Sequence, residues 1–248
     1  MMGLYSNSKT NDRIIPMRKA FILAILIITL LFTFTSCRTV KGPREKTATD
    51  CLYALNIVLN QTSEETISDL FLSLNSYEYS FIPTEYSFLE EKRNEIPGLD
   101  KLLLEWRNTV NSLLIENFDS FNNYADTLIK SIEFEKPIQM VNSSDSSITL
   151  LLKQTYYEDI SNTIYYGINN LNLEAWNNIK IQYNAWVNTR ALLFNEENPV
   201  FTEEDFLMMV SNCITDVYFN TFMKKEVFIR TTPNPDMDPV LASVLGLD

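Results

Sequence analysis

The chain has 248 residues, 46% of them hydrophobic, and twenty Lys plus Arg against thirty-two Asp plus Glu give a net charge of −12. That apolar content suffices for one sizeable core or two small ones, and the negative balance repels phosphate backbones and excludes a nucleic-acid partner. Histidine is absent, which removes His-containing zinc sites, Ser-His-Asp triads and Cys-His nucleophiles, and the five glycines lie too far apart for a phosphate-cradling loop.

Arg18 and Lys19 precede an apolar run of fourteen residues, Phe21 to Phe34, which has the shape of a secretory signal. The run falls short of the about 20 apolar residues a bilayer core requires. Phe34-Thr35-Ser36-Cys37 resembles the lipobox of bacterial lipoproteins, with Phe34 where Leu is usual. The resemblance implies that the Cys37 thiol is acylated, that the chain is cut just before it, and that palmitate-type chains tether the protein to a membrane of the cell envelope. Met17 opens a complete signal of its own, so Met1 and Met17 both stand as starts.

Residues 1–36 are therefore read as signal peptide, 37–49 as lipidated N-terminus and polar tether, and 50–248 as one helical domain. Removing residues 1–36 takes away four basic and one acidic residue, which leaves sixteen against thirty-one, a net of −15. Such a body on the basic stalk Arg38 to Thr49 is expected to stand off an anionic surface. Cys51 and Cys213 remain in the domain, either paired in an oxidising compartment or as two separate buried thiols.

Helical periodicity dominates that domain, and the expected class is all-α, a single antiparallel bundle. Short helices are expected over Asp50 to Asn60 and Glu64 to Leu74, the second entered through a capping box at Thr62 to Glu65. Apolar residues at helical spacing from Leu99 to Ile132 predict one long helix, or two with a bend near Asn117. The segment Asn142 to Thr149 is rich in Ser and Asp and predicts a self-capped helix running to about Gly167. Leu173, Trp176, Ile179, Tyr183, Trp186 and Leu193 mark another helix that ends before Pro199. Thr202 to Asp205 opens a further one, with Phe206, Val210, Cys213, Val217 and Phe222 facing inward. In the tail, Asp238 is expected to cap a short helix with Pro239 at its first position and Gly246 at its close.

Few residues suggest chemistry. The Ser143 to Ser147 segment reads as a cap and not an anion site, since Asp145 already occupies the positive end of the helix. Asp236 and Asp238 lack the further oxygens a hard cation needs, so neither a metal nor a cofactor is expected. Tyr156, Tyr166, Trp176, Tyr183 and Trp186 are candidates to line an apolar pocket between neighbouring helices, the competing reading being core packing. No residue is singled out as catalytic.

At the C-terminus, Glu226-x-x-Ile229-Arg230-x-x-Pro233 followed by Leu241-x-x-Val244-Leu245-Gly246 resembles the ending of the bacterial family called domain of unknown function 4197, with Leu245 where that family has Phe. The likeness extends upstream through Ile82-Pro83, Asn111, Met140, Val141, Asp145 and Thr149, although Ser143 and Ser144 stand where the family has a glycine pair. The resemblance implies an all-helical exported protein with no established activity. It also marks Asn111, Glu226 and Arg230 as a candidate functional surface. Their alternative is structural: an i, i+4 ion pair and an amide that satisfies buried backbone.

The expected role is thus a membrane-tethered, non-enzymatic module that binds an envelope protein or an apolar small molecule. The competing expectation is a carboxylate-dependent hydrolase acting on an envelope polymer.

Overall fold

The computed structural model describes residues 45–194, 199, 201 and 205–247. The expected signal segment, Cys37 and most of the tether lie outside the described residues, as do Thr202 to Glu204. From Lys46 onward the chain forms one compact unit. Every regular element among the described residues is helical, so the fold class is all-α as the periodicity predicted. No described helix is long and apolar enough to cross a membrane.

Helix α1 spans Ala48–Asn75, and its first turn is capped by Thr47, whose Oγ1 accepts from Asp50 N–H at 3.0 Å. It runs unbroken through Thr62 to Glu65, where the capping box had predicted a new start. Neither Pro nor Gly interrupts the segment, and Thr62, Ser63 and Thr66 are buried in the helix packing instead of turned back to cap backbone. Tertiary burial overrides the local capping preference.

A single 3₁₀ turn, Thr84–Tyr86, leads into the one-turn α2, Phe88–Glu91. Gly98, at φ 81°, turns the chain into α3, Leu99–Glu116, and α4 follows over Phe118–Lys130. The bend expected at Asn117 is present: its φ of −100° leaves the helical range, and its Nδ2 donates to the Leu113 carbonyl at 2.9 Å. Then come α5, Pro137–Val141; α6, Ser147–Gly167; α7, Glu174–Phe194; α8, Phe206–Thr231; and α9, Pro239–Leu245. The short α2 and α5 carry too few residues for a periodic signal.

Helix α8 organises the packing. It buries Val210, Ile214, Phe219, Phe222 and Ile229, and it lies against both α6 and α1. Each such side chain contributes about 1.5–3 kcal/mol on full burial. Helix α3 packs on α7, while α5 and α9 pack on α1. The tail behaves as read: Asp238 Oδ1 accepts from Val240 and Leu241 N–H at 2.8 and 3.1 Å, Pro239 takes the first position, and Gly246 closes α9 at φ 74°. Asp205 caps α8 by accepting from Met208 N–H at 3.2 Å. Cys51 is buried and Cys213 half-buried, and both are free thiols, so the disulfide alternative gives way to two separate packed residues.

Candidate functional site

Glu226 and Arg230 lie one turn apart on α8 and pair at 3.0 Å with their side chains almost wholly out of solvent. The carboxylate also reaches the start of α6. Its Oε1 accepts from Ile148 N–H at 2.9 Å, and its Oε2 accepts from Thr149 N–H at 2.7 Å and from the Thr149 hydroxyl at 2.6 Å. Those amides belong to the first turn of α6, where N–H groups have no partner within the helix and favour negative charge.

The guanidinium completes the corner. Arg230 Nη1 donates to Ser147 Oγ at 2.7 Å, and Nη2 donates to the Met140 and Val141 carbonyls at 3.2 and 3.0 Å, at the end of α5. One ion pair therefore ties α8 to both sides of the α5–α6 corner. The sequence reading had α6 capping itself from its Ser-rich start. Ser146 in fact makes no side-chain cap; Ser143 Oγ donates back to the Met140 carbonyl at 2.8 Å, and Ser144 and Ser146 bond one another at 2.9 Å. Because the cap arrives from Glu226, 77 or 78 residues away, local composition could not reveal it.

Asn111, the third candidate, is fully buried on α3. Its Nδ2 donates to the Tyr79 carbonyl at 3.1 Å and to the Arg107 carbonyl at 2.8 Å. One turn earlier, Trp106 Nε1 donates to the Phe81 carbonyl at 3.3 Å. Phe81 holds φ at 48°, a left-handed conformation that costs energy for an aromatic residue and persists only when its surroundings fix it. Asn111 and Trp106 supply that fixation. Asn111, Glu226 and Arg230 are thus placed inside the fold and not on its surface.

Phe81 forms part of an apolar cleft that these interactions frame. The cleft has about 80 Å³ open to the centres of water-sized groups. Helix α1 contributes Ile67, Leu70 and Leu74; α3 and α4 contribute Leu114, Phe118, Phe121 and Ala125. Helix α6 adds Ile160 and Ile164, and α8 adds Ile214 and Val217. Asn122, Thr163 and the rings of Tyr124 and Tyr218 bring the few polar groups. Burial, and secondarily the Asp126 carboxylate, push the Tyr218 hydroxyl well above the usual phenol range, so it stays protonated. At one side, the Phe121 ring lies so close to Gly167 that a Cβ there would meet it at 2.3 Å. Gly167 is the small residue that lets this ring lie back against α6.

The candidate aromatic residues are distributed differently. Trp176 and Tyr183 are buried on α7 in a closed aromatic cluster: Trp176 stacks on Phe206 at 4.2 Å, Tyr183 meets Phe88 at 5.0 Å, and the Tyr183 hydroxyl donates to the Pro199 carbonyl at 2.8 Å. Trp186, half-buried, lies under Lys92 and Arg190. Tyr156 on α6 shares a hydrogen bond with Ser131 at 2.9 Å, and Tyr166 is 70% exposed. These five side chains do not converge on one cavity. The cleft lies elsewhere, and the sequence reading missed its walls because five helices and a loop contribute them.

A second concavity lies between α1, α8 and the turn before α9, and Glu64, Glu65 and Asp236 are among its lining residues. Lys225 stands 3.8 Å from Glu65 and 2.6 Å from Asp69. Among the described residues, no group of three or more Cys, Asp or Glu side chains is placed to hold a metal ion. No family model, curated protein or solved structure matches the chain.

Two predictions come from this geometry. Glu226→Ala leaves the Arg230 charge buried without its partner and two α6 amides without an acceptor, so it should cost about 3–5 kcal/mol in urea unfolding; a cost under about 1 kcal/mol contradicts the assigned role. Burial pushes the Cys213 thiol from 9.0 up to about 11. The native state then holds a proton that the unfolded chain has released, so stability should be fully present below pH 9.0 and fall as pH rises toward about 11. Urea midpoints measured across that range check the sign, and Cys213→Ala should flatten the slope.

Proposed function

We propose that this chain is a lipid-anchored protein of the bacterial envelope whose helical body binds an apolar ligand in the cleft between α1, α4, α6 and α8, and is not an enzyme. The observation that carries the binding half is the cleft itself: an opening walled almost throughout by hydrocarbon, with only a few polar groups at its edge. Ligand sites have that character. The anchoring half rests on the apolar run that ends at Cys37 and on the basic segment after it.

Kinship with domain of unknown function 4197 belongs to the same proposal. The Glu226 and Arg230 of the shared ending make the α6 latch, which gives those two residue types a physical task at that spacing. The hydrolase reading has its best placement at Glu64, Glu65 and Asp236. Glu64 and Asp236 are exposed and Glu65 faces Lys225, which is a poor setting for a carboxylic acid held ready to donate. Glu226, the fully buried carboxylate, has its oxygens committed to α6 and Arg230.

The full chain recovered from its membrane tests the reading. Solvent extraction of the purified protein should release a bound apolar compound, and Ala125→Phe, which fills the cleft, should remove it. Equal recovery from both chains contradicts binding in the cleft. In the same cells Cys37→Ala should lose labelling by radioactive fatty acid, and retention of the label contradicts the anchor.

A further inference from the structure

Resting on the reading of the cleft as a ligand site, we propose that its ligand is a single alkyl chain inserted to a depth of about three carbons, carried by a head group without negative charge. Size sets the first part. At ~30 Å³ per water-sized group, the 80 Å³ open inside the cleft admits about three methylene-sized groups. A helix of a protein partner, ~10–12 Å across with its side chains, does not enter such a space.

Charge sets the second part. Every charged residue adjacent in the chain to a cleft-lining residue is an aspartate: Asp69, Asp119, Asp126, Asp159 and Asp216. Lys225, Lys130 and Lys153 lie near, but each is already held by one of them, at 2.6, 2.6 and 2.8 Å. Asp119 and Asp159 are exposed, and among the described residues no lysine or arginine stands within ion-pair distance of either. A carboxylate or phosphate at the cleft would therefore meet like charge, and each described lysine paired with these aspartates is already committed. An ester, an alcohol or an ammonium head meets no such repulsion.

Two sources offer this chemistry: the protein's own acyl chains on Cys37, and neutral lipid of the surrounding membrane. Ten residues separate Cys37 from the start of α1 at Ala48. At ~3.3–3.6 Å per extended residue, that tether has the reach to return an acyl chain along the bundle.

The test uses the full chain in phosphatidylcholine vesicles with photoactivatable n-alkanols of increasing length at matched aqueous concentration, followed by mass-spectrometric mapping of the labelled peptides. Label should fall on the peptides carrying Phe121, Ala125 and Ile164. The half-saturating concentration should drop about fourfold per added methylene and level off at about three carbons. The carboxylate of the same length should label at least about tenfold more weakly. Ala125→Phe should abolish cleft labelling while the helical circular dichroism stays intact; should that variant not fold, Ile164→Trp serves the same purpose.

Equal labelling by the carboxylate, or affinity that keeps rising past about six carbons, overturns this inference and leaves the cleft as an apolar site. Label absent from the cleft overturns both. Weaker labelling of the Cys37 chain than of Cys37→Ala supports the proposal with the protein's own anchor as occupant; equal cleft labelling of the two supports it with membrane lipid as occupant.

Discussion

The buried carboxylate of Glu226 is the constraint on which the architecture turns. An ionised group removed from water loses several kcal/mol of solvation, and that loss is offset only when its lone pairs are all engaged in good geometry. Here two α6 amides, one hydroxyl and Arg230 engage them. The guanidinium is held in turn by Ser147 Oγ and two α5 carbonyls. The pair does more than neutralise itself. It fixes where α6 begins, and hence how Ile160 and Ile164 face Ile214 and Val217 across the cleft.

A second set of polar anchors acts on the loop that brings Phe81 into the cleft. Asn111 and Trp106 grip the carbonyls of Tyr79 and Phe81 and hold Phe81 in its left-handed conformation. Both anchors use side chains on helices to fix irregular backbone. The apolar cleft is thus the product of buried hydrogen bonds around it, which specify geometry that hydrophobic contact alone leaves loose. Phe121, one of the lining residues, lies against the bare backbone of Gly167.

How much of this was legible in the sequence follows from the range of each interaction. Helical class, the break at Asn117 and the Asp238-Pro239-Gly246 tail depend on neighbours within a few residues, and each is where local chemistry placed it. The i, i+4 spacing of Glu226 and Arg230 announced their pairing as well. The capping of α6 by Glu226 was hidden, because Ser144 and Ser146 offered a plausible local cap and the real one comes from a distant helix. Continuity of α1 was hidden for the converse reason: Thr62 and Ser63 look like a helix start until burial against other helices claims them. Around Trp176 and Tyr183 the core-packing reading holds against the pocket, a choice periodicity could not make because it marks a buried face without saying whether space remains beside it.

The central claim, that a single α8 carboxylate caps α6 from within the core and thereby fixes one wall of the cleft, is tested most directly by native-state hydrogen exchange at two amides. Ile148 and Thr149, although in the first turn of a helix, should exchange as slowly as the core of α8, because their N–H groups open only when Glu226 leaves. Exchange of these two amides at the rate of a fraying helix end, with α8 still protected, would contradict the account.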